Sequence, residues 1–193
     1  MNGPNIDCSV IRKLLNILSE KTVSPWRHLF LTTNWDYLLQ REVLKLGHLK
    51  QPEWSAETHV YHLNGTVEEL ADNSRRSLFI LETDSSELRT SSTEANIAFT
   101  KISWNKTFVV VGMSFECEAD KFLLSSFARI QDDLPIGDSE WIIVNPLAST
   151  LDITAKRVQA ALPHSRVRQV QATFADWIEA QTPELQACGA LRY

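Results

Sequence analysis

The chain has 193 residues, which is enough for one domain with a substantial core. Its 44% hydrophobic and 22% charged residues are typical of a soluble globular protein, and no apolar run approaches the length of a membrane span. A net charge of -5 argues against nonspecific binding to nucleic acid, which needs a basic face. The sequence therefore predicts a single globular domain over 1–193, with neither a membrane nor a nucleic acid as its partner.

Cysteine usage and the amino terminus bear on the compartment and on metal content. Cys8, Cys117 and Cys188 are an odd number and widely scattered, so no Cys-x-x-Cys pair exists for a zinc ribbon or a redox dithiol. No charged start followed by an apolar block marks a signal peptide. We therefore expect a cytoplasmic protein without zinc.

In the first half of the chain, the spacing of apolar residues predicts two helices and two strands. In order, these are a helix over 10–18, a strand near 28–32, a helix over 36–46 and a strand over 58–63. Ser9 is the expected cap of the first helix, and Gly47 is expected to end the second. The polar stretch 66–93 is either a lid beside a ligand cleft or a tolerated surface loop.

In the second half, helices and strands alternate. The predicted elements are a helix over 93–104, a strand over 108–111, a helix over 119–130, a strand over 141–144, a helix over 151–162, a strand over 167–170 and a helix over 174–180. The run 108–111 is the most apolar and β-branched, so we expect a central strand buried on both faces. The alternation predicts an α/β fold with a mostly parallel, Rossmann-like sheet and helices on both of its faces.

Polar residues follow the first strand, where a parallel α/β sheet places its ligand site. Thr33, Asn34 and Asp36 join that strand to the next helix. An amide at this point offers a neutral donor and a neutral acceptor, suited to ribose hydroxyls, a carboxamide or a positioned water. Alternatively, Thr33 or Asn34 only caps the helix, and these residues alone leave both interpretations open.

Three more motifs follow in order: a strand ending in His and Gly, a Gly-x-Ser turn after an apolar strand, and a strand ending in Asn-Pro. With the first motif, the four segments are Thr32–Asp36, Val60–Gly65, Val109–Ser114 and Ile142–Pro146. In this order they resemble the sirtuin superfamily, in particular bacterial sirtuin-like domains whose relatives bind or break down NAD. The resemblance implies NAD or an ADP-ribose-like nucleotide as the ligand.

The resemblance implies a role for each residue of the first motif. In the family, the Asn that matches Asn34 contacts the nicotinamide ribose and helps to position the nucleophile. Thr33 and Asp36 belong to the same cofactor-binding loop. Asp36 also suits a structural role, in which its carboxylate accepts hydrogen bonds from backbone N–H groups.

The later motifs supply the rest of the implied cofactor site. Gly112 and Ser114 match the turn where ribose or phosphate oxygens approach the backbone of a family member. Asn145 matches an Asn that contacts the adenosine ribose. The alternative for Asn145 is a turn residue, because Pro146 stops the strand directly after it.

His62 and Asn64 stand where active relatives carry their base. In those relatives a His directly precedes the Gly and serves as general base, since the pKa of imidazole lies near neutrality. Here Asn64 precedes Gly65, and an amide cannot accept a proton at neutral pH. His62 lies two positions earlier and faces the same side of the strand, which makes it a substitute base. The alternative is a partly buried histidine bonded to backbone.

A sirtuin-type NAD site opens with a Gly-Ala-Gly loop that cradles the pyrophosphate. The residues before Thr32 contain one glycine, Gly3, with no strand before it. We therefore expect either a fragment of a longer protein or a naturally shortened member that lacks the first glycine-loop unit. In both cases NAD binding is expected to be weak or lost.

Three functions remain open from the sequence. The first is a degenerate sirtuin-like domain that binds NAD or ADP-ribose, related to NAD hydrolases and NAD-dependent deacylases, and weakly active or inactive. The second is a non-catalytic interaction or homo-oligomerisation module of a bacterial, antiphage-type defence protein. The third is a small α/β nucleotide-binding enzyme unrelated to sirtuins.

Overall fold

The computed structural model describes residues 7–21, 30–32, 37–49, 60–62, 107–133 and 139–180. In chain order the elements are α1 (Ser9–Lys21), β1 (Phe30–Thr32), α2 (Leu38–Leu49), β2 (Val60–His62), β3 (Thr107–Val111), α3 (Glu118–Asp133), β4 (Glu140–Val144), α4 (Ala148–Ala161), β5 (Arg166–Val170) and α5 (174–180). The protein is therefore a mixed α/β chain. The polar stretch 66–93 and the predicted helix over 93–104 lie outside the described residues.

The chain divides into two compact units. The first unit comprises 1–30, 36–60 and 175–193, and the second comprises 31–35 and 61–174. The described strands form two sheets: β1 pairs with β2, and β3, β4 and β5 form a three-stranded sheet in that order. Within the described ranges, the single sheet that the sequence predicted is thus present as two separate small sheets.

The core of the first unit lies between α1 and α2, which contact each other. Its buried residues include Leu15, Val43 and Val60, and the partly buried residues around them are Ile11, Leu18, Phe30 and Leu39. The members from α1 are spaced by four and three residues, so they share one face of the helix. Burying one such side chain stabilises the fold by about 1.5–3 kcal/mol relative to leaving it exposed.

A buried carboxylate joins the two helices of the first unit. The side chain of Glu42 is 1% exposed; it accepts hydrogen bonds from Arg12 Nε at 2.6 Å and Lys45 Nζ at 2.8 Å, and Arg41 Nε lies 3.9 Å away. Burial acts to raise the pKa of Glu42, but these hydrogen bonds and the charges of Arg12 and Lys45 outweigh it and lower that pKa. Glu42 is therefore charged in the folded protein at neutral pH.

Two helix ends differ from the sequence-based expectation. Asp7, rather than Ser9, caps α1: its Oδ1 accepts a hydrogen bond of 2.8 Å from the backbone N–H of Ser9, which also lowers the pKa of Asp7. Gly47 does not end α2, because the helix continues to Leu49. A glycine inside a helix costs only about 1 kcal/mol, which other interactions readily offset.

The sheet of the second unit is parallel throughout. β3 and β4 align Thr107 with Glu140 and Val111 with Val144, and β4 continues the register to β5, aligning Val144 with Val170. Aligned residues of parallel strands point to the same face. The carboxyl ends of all three strands therefore lie along one edge, as the sequence predicted.

The helices α3 and α4 cover one face of this sheet. Phe127 of α3 packs edge-on against the rings of Phe108 and Trp141, with centroids 5.3 Å and 5.2 Å away, and those two rings stack at 4.5 Å. The second helix, α4, contacts β4, β5 and α3, so it lies on the same face. The rings of Phe108, Phe127 and Trp141 therefore form the part of the core that lies on this face of the sheet.

The prediction that β3 is central and buried on both faces is wrong. In the three-stranded sheet the central strand is β4, with four consecutive buried residues from Trp141 to Val144. Among the described strands β3 lies at the edge, and its Val109 and Val111 are 44% and 39% exposed. A β-branched apolar run favours a strand, but its composition does not determine which of its faces another element covers.

Small polar groups close the opposite end of the sheet. The hydroxyls of Ser139 and Ser165 lie 2.6 Å apart, directly before β4 and β5, and the Trp141 indole donates to Ser139 Oγ at 3.2 Å. All three side chains are buried. Because each polar atom has a hydrogen-bond partner, the cost of burying these groups is offset.

No helix in the described part of the chain has both the length and the apolar character needed to span a membrane.

Candidate functional site

The parallel register brings two of the predicted motifs together at the carboxyl edge of β3 and β4. Val111 and Val144 are aligned as the last residues of their strands, so Gly112 and Asn145 follow them on neighbouring strands. Adjacent strands lie about 4.8 Å apart. The turn over 112–116, which contains Ser114, therefore starts beside Asn145, as expected for a ligand site at strand ends.

The turn after β3 has an unusual backbone. Gly112 has φ +69°, and a Cβ added there would meet no atom of the described residues within 4 Å, so these residues leave open space above it. Phe115 has φ +52°, in the left-handed region that side chains seldom adopt, and it is only 1% exposed. The buried ring holds the far end of the turn in the core, while Gly112 lets the chain leave β3 sharply.

The turn also presents hydrogen-bond donors. None of the described residues accepts a hydrogen bond from the backbone N–H groups of Met113, Ser114 or Phe115. The next element is the 16-residue helix α3, whose amino terminus carries a partial positive charge. Successive backbone N–H groups in such a turn suit an anionic or oxygen-rich ligand.

Arg157 of α4 braces this turn. Its Nη1 donates a hydrogen bond of 2.9 Å to the backbone oxygen of Ser114, and its Nη2 lies 3.8 Å from the Glu116 carboxylate. The Arg157 side chain is 34% exposed, so its guanidinium is partly shielded from water. Sequence analysis missed this residue, because no local pattern indicates a contact across 43 positions of the chain.

Asn145 performs the structural role that the sequence left open. Its Oδ1 accepts a hydrogen bond of 2.9 Å from the N–H of Leu147, and its own N–H donates to Val170 O at 3.2 Å. The first bond fixes the turn that leads into α4, whose N-cap residue, Leu147, offers no capping side chain. The amide nitrogen Nδ2 is the part of the side chain that this role does not use, and it is a donor.

His62 lies in the other sheet. It is the last residue of β2, and it is 4% exposed. Burial agrees with the structural alternative for this residue and limits its use as a base, since a general base must reach the substrate. Its sheet does not include β3, so no ladder fixes its position relative to Gly112. Four further predicted site residues lie outside the described residues: Thr33, Asn34, Asp36 and Asn64.

Cys117 lies at the start of α3, directly after the turn. Its Sγ accepts a hydrogen bond of 3.4 Å from the N–H of Asp120, which lies in the first turn of that helix. Within the described ranges, no group of three His, Cys, Asp or Glu side chains is arranged to hold a metal ion. The turn thus offers donors from backbone, hydroxyl and amide groups for a ligand.

No protein-family model, curated protein or solved structure matches this chain.

Proposed function

We propose that the carboxyl edge of β3 and β4 binds NAD or an ADP-ribose-like nucleotide, within a degenerate sirtuin-like domain of the Rossmann-like class. The observation that carries this proposal is the register, which sets the turn over 112–116 beside Asn145. These two segments belong to separate motifs of the family resemblance. In the proposed fold, further helices cover the second face of the sheet.

The chemistry of the edge supports an oxygen-rich ligand. Ribose hydroxyls and phosphate oxygens accept hydrogen bonds, and the edge offers donors: the N–H groups of the turn, the hydroxyl of Ser114 and Nδ2 of Asn145. The open space above Gly112 leaves room for a ligand to approach the backbone. The amino terminus of α3 adds a favourable field for negative charge.

The same proposal includes weak or absent turnover. Asn64 occupies the position of the family's base, and the substitute His62 is buried. Losing a positioned base alone typically costs about 10²–10⁴-fold in rate.

Calorimetry tests the binding part directly. NAD, ADP-ribose and nicotinamide are titrated separately into the unmodified chain, and heat with NAD or ADP-ribose is expected. The informative variant is Asn145→Asp, because a carboxylate keeps the acceptor for Leu147 N–H, removes the Nδ2 donor and adds a negative charge. The matched control is Ala160→Glu, which adds the same charge at an exposed position near the carboxyl end of α4, whereas Asn145 precedes the amino end of that helix.

The expected result is binding that Asn145→Asp weakens at least about tenfold and Ala160→Glu leaves unchanged. The variant loses the hydrogen bond from Nδ2 to the ribose, about 0.5–1.5 kcal/mol, and its added carboxylate repels an anionic ligand. The absence of heat with all three ligands at millimolar concentration would exclude the proposed binding. Equal weakening by both variants would point to general electrostatics instead of this edge.

An NAD-consumption assay tests the catalytic part. We expect little turnover by the unmodified chain, and a gain in Asn64→His if the lost base is the main defect. Asn34→Ala in the Asn64→His background should abolish that gain, because the Asn34 amide positions the nucleophile in the family. Robust turnover by the unmodified chain that vanishes in Asn34→Ala would show an intact catalytic site.

The exposed face of β3 favours a second function, self-association. Val109 and Val111 are exposed at the edge of their sheet, although their neighbours on β4, Ile142 and Val144, are buried. Exposed apolar side chains on an edge strand favour pairing between copies of a chain. Light scattering should then show an oligomer that Val109→Lys disrupts, while a monomer at high concentration would exclude this function.

A further inference from the structure

Arg157 contacts the proposed site through the backbone of its turn. It belongs to α4, and it reaches the turn after β3 through a single backbone oxygen, that of Ser114, at 2.9 Å. Its second nitrogen, Nη2, approaches the carboxylate of Glu116 at 3.8 Å. A guanidinium has five donors in a rigid fork, so one side chain can hold both acceptors in a fixed relative position.

Holding the oxygen of Ser114 orients the next N–H group. In a trans peptide, the carbonyl oxygen of one residue and the N–H of the following residue lie in one plane and point in opposite directions. Arg157 binds the carbonyl side of the peptide between Ser114 and Phe115. The N–H of Phe115 is therefore directed away from Arg157 and from α4.

The other end of the turn is held independently. Phe115 is 1% exposed, and its φ of +52° is less favourable for a phenylalanine than the usual regions. A left-handed residue persists only where its surroundings determine it. The buried ring supplies one constraint and the Arg157 hydrogen bond supplies another, on either side of the same peptide group.

We propose that Arg157 is a positioning residue for the nucleotide site: by holding the Ser114 carbonyl, it keeps the N–H groups over 113–115 in the orientation that binds the ligand's oxygens. This inference rests on the proposed function and names the residue that tunes it. Arg157 does not touch the ligand. It sets affinity because a turn that is already ordered loses less conformational entropy on binding.

The experiment uses three variants of the full chain. Arg157→Met removes both interactions and keeps an apolar stem, and Arg157→Lys keeps the charge but places its donors on a single nitrogen. Lys156→Met is the matched control, because the neighbouring Lys156 is 74% exposed and its partner among the described residues, Asp152, lies on its own helix. Two quantities are measured: the order parameters of the backbone N–H groups over 113–116 by NMR relaxation, and the dissociation constant for ADP-ribose by calorimetry.

In Arg157→Met, the order parameters of the N–H groups over 113–116 should fall from about 0.85 to below about 0.6, while those of β4 stay unchanged, because the hydrogen bond that orders the turn is lost locally. The dissociation constant should rise about tenfold. Methylguanidinium at millimolar concentration should restore part of the affinity, and Arg157→Lys should lie between the two. Lys156→Met should match the unmodified chain in both measurements.

Three outcomes overturn the inference. Unchanged order parameters and unchanged affinity in Arg157→Met would show that the hydrogen bond does not order the turn. Weaker binding with unchanged order parameters would make Arg157 a direct ligand contact. If Arg157→Met fails to fold, both measurements are made on Arg157→Lys. Results equal to those of the unmodified chain would then show that the hydrogen bond does not order the turn.

The two proposals can fail separately. If the unmodified chain binds none of the nucleotides, the proposed function is excluded and a role of Arg157 in binding is excluded with it. If the unmodified chain binds a nucleotide and the Arg157 variants bind it as tightly as Lys156→Met does, the proposed function stands. The positioning role of Arg157 is then excluded.

Discussion

The α1–α2 pair of the first unit and the carboxyl edge of β3 and β4 in the second use polar groups in opposite ways. Glu42 is almost completely buried, and cations of the same unit hold it. At the strand edge, N–H groups of the turn over 112–116 donate to none of the described residues. The turn hydrogen bond of Asn145 uses Oδ1 and not the Nδ2 donor. Polar groups that are satisfied internally stabilise a fold, whereas available ones suit a ligand. The difference explains why only the second region is proposed as a site.

The largest expected effect is a loss of stability when a side chain on the covered face of the sheet is truncated. Trp141→Ala removes a ring that is 2% exposed and packs against Phe108 and Phe127. Urea unfolding should show a loss of about 3–5 kcal/mol, as for other large core aromatics. Ile153→Ala, which truncates a side chain that is 47% exposed, should change stability by less than about 0.5 kcal/mol. Similar losses in both variants would contradict the core assigned to the second unit.

The next prediction tests whether the ion pairs of Glu42 with Arg12 and Lys45 stabilise the fold. Glu42→Gln removes the charge that Arg12 and Lys45 share, and the folded state should lose about 1–3 kcal/mol in urea unfolding, since hydrogen bonds to a charged group are the stronger kind. The control is Glu179→Gln, whose carboxylate is 66% exposed and pairs with Lys13. An exposed ion pair contributes about 0–1 kcal/mol. A larger loss in the control would reverse the contrast.

The stability that Glu42 provides should depend on pH in one direction. The folded state holds the pKa of Glu42 below its ordinary value of 4.5, so the folded state binds this proton less readily than the unfolded state does. The contribution is complete above that ordinary value and is lost as pH falls through the lowered pKa. Urea midpoints of the unmodified chain and of Glu42→Gln should therefore differ at pH 7 and converge towards pH 3. A gap that widens in acid would show the opposite sign of shift.

The smallest effect concerns the backbone of the edge. Gly112→Ala should destabilise the protein by roughly 1–2 kcal/mol, because φ +69° disfavours a side chain although the added Cβ would meet no neighbour. Gly112→Asn should cost less, since Asn tolerates the left-handed region better. Equal unfolding midpoints for the glycine and alanine proteins would mean that the turn adopts another backbone conformation in solution.

The sequence predicted most of the elements of the second unit, and their physical basis is clear. The apolar run that ends in Val144 and the helical spacing over 151–162 each report a local preference, and both elements lie where we expected them. Whether β3 or β4 is central depends on strand order, which no local preference encodes. The more apolar of two strands is therefore not necessarily the central one.

The candidate site was predictable only in part for the same reason. Gly112, Ser114 and Asn145 were found because each follows a predicted strand, and parallel strands end at a common edge. Arg157 was not found, since its contact joins a helix to a distant turn. The turn role of Asn145 was foreseen as an alternative, and the hydrogen bond to Leu147 N–H confirms it. The positions of Asn34 and Asn64 stay predictions.

The paired hydroxyls of Ser139 and Ser165 have a consequence for how the strands find their alignment. They stand directly before the aligned residues Glu140 and Arg166, so the two serines meet only when β4 and β5 pair without a shift. A slip of one residue would break that contact and turn the alternating side chains of one strand to the wrong face. The serine pair therefore favours this register of β4 and β5 over a shifted one. The same register brings the N–H of Asn145 to the backbone oxygen of Val170 at the other end of the sheet.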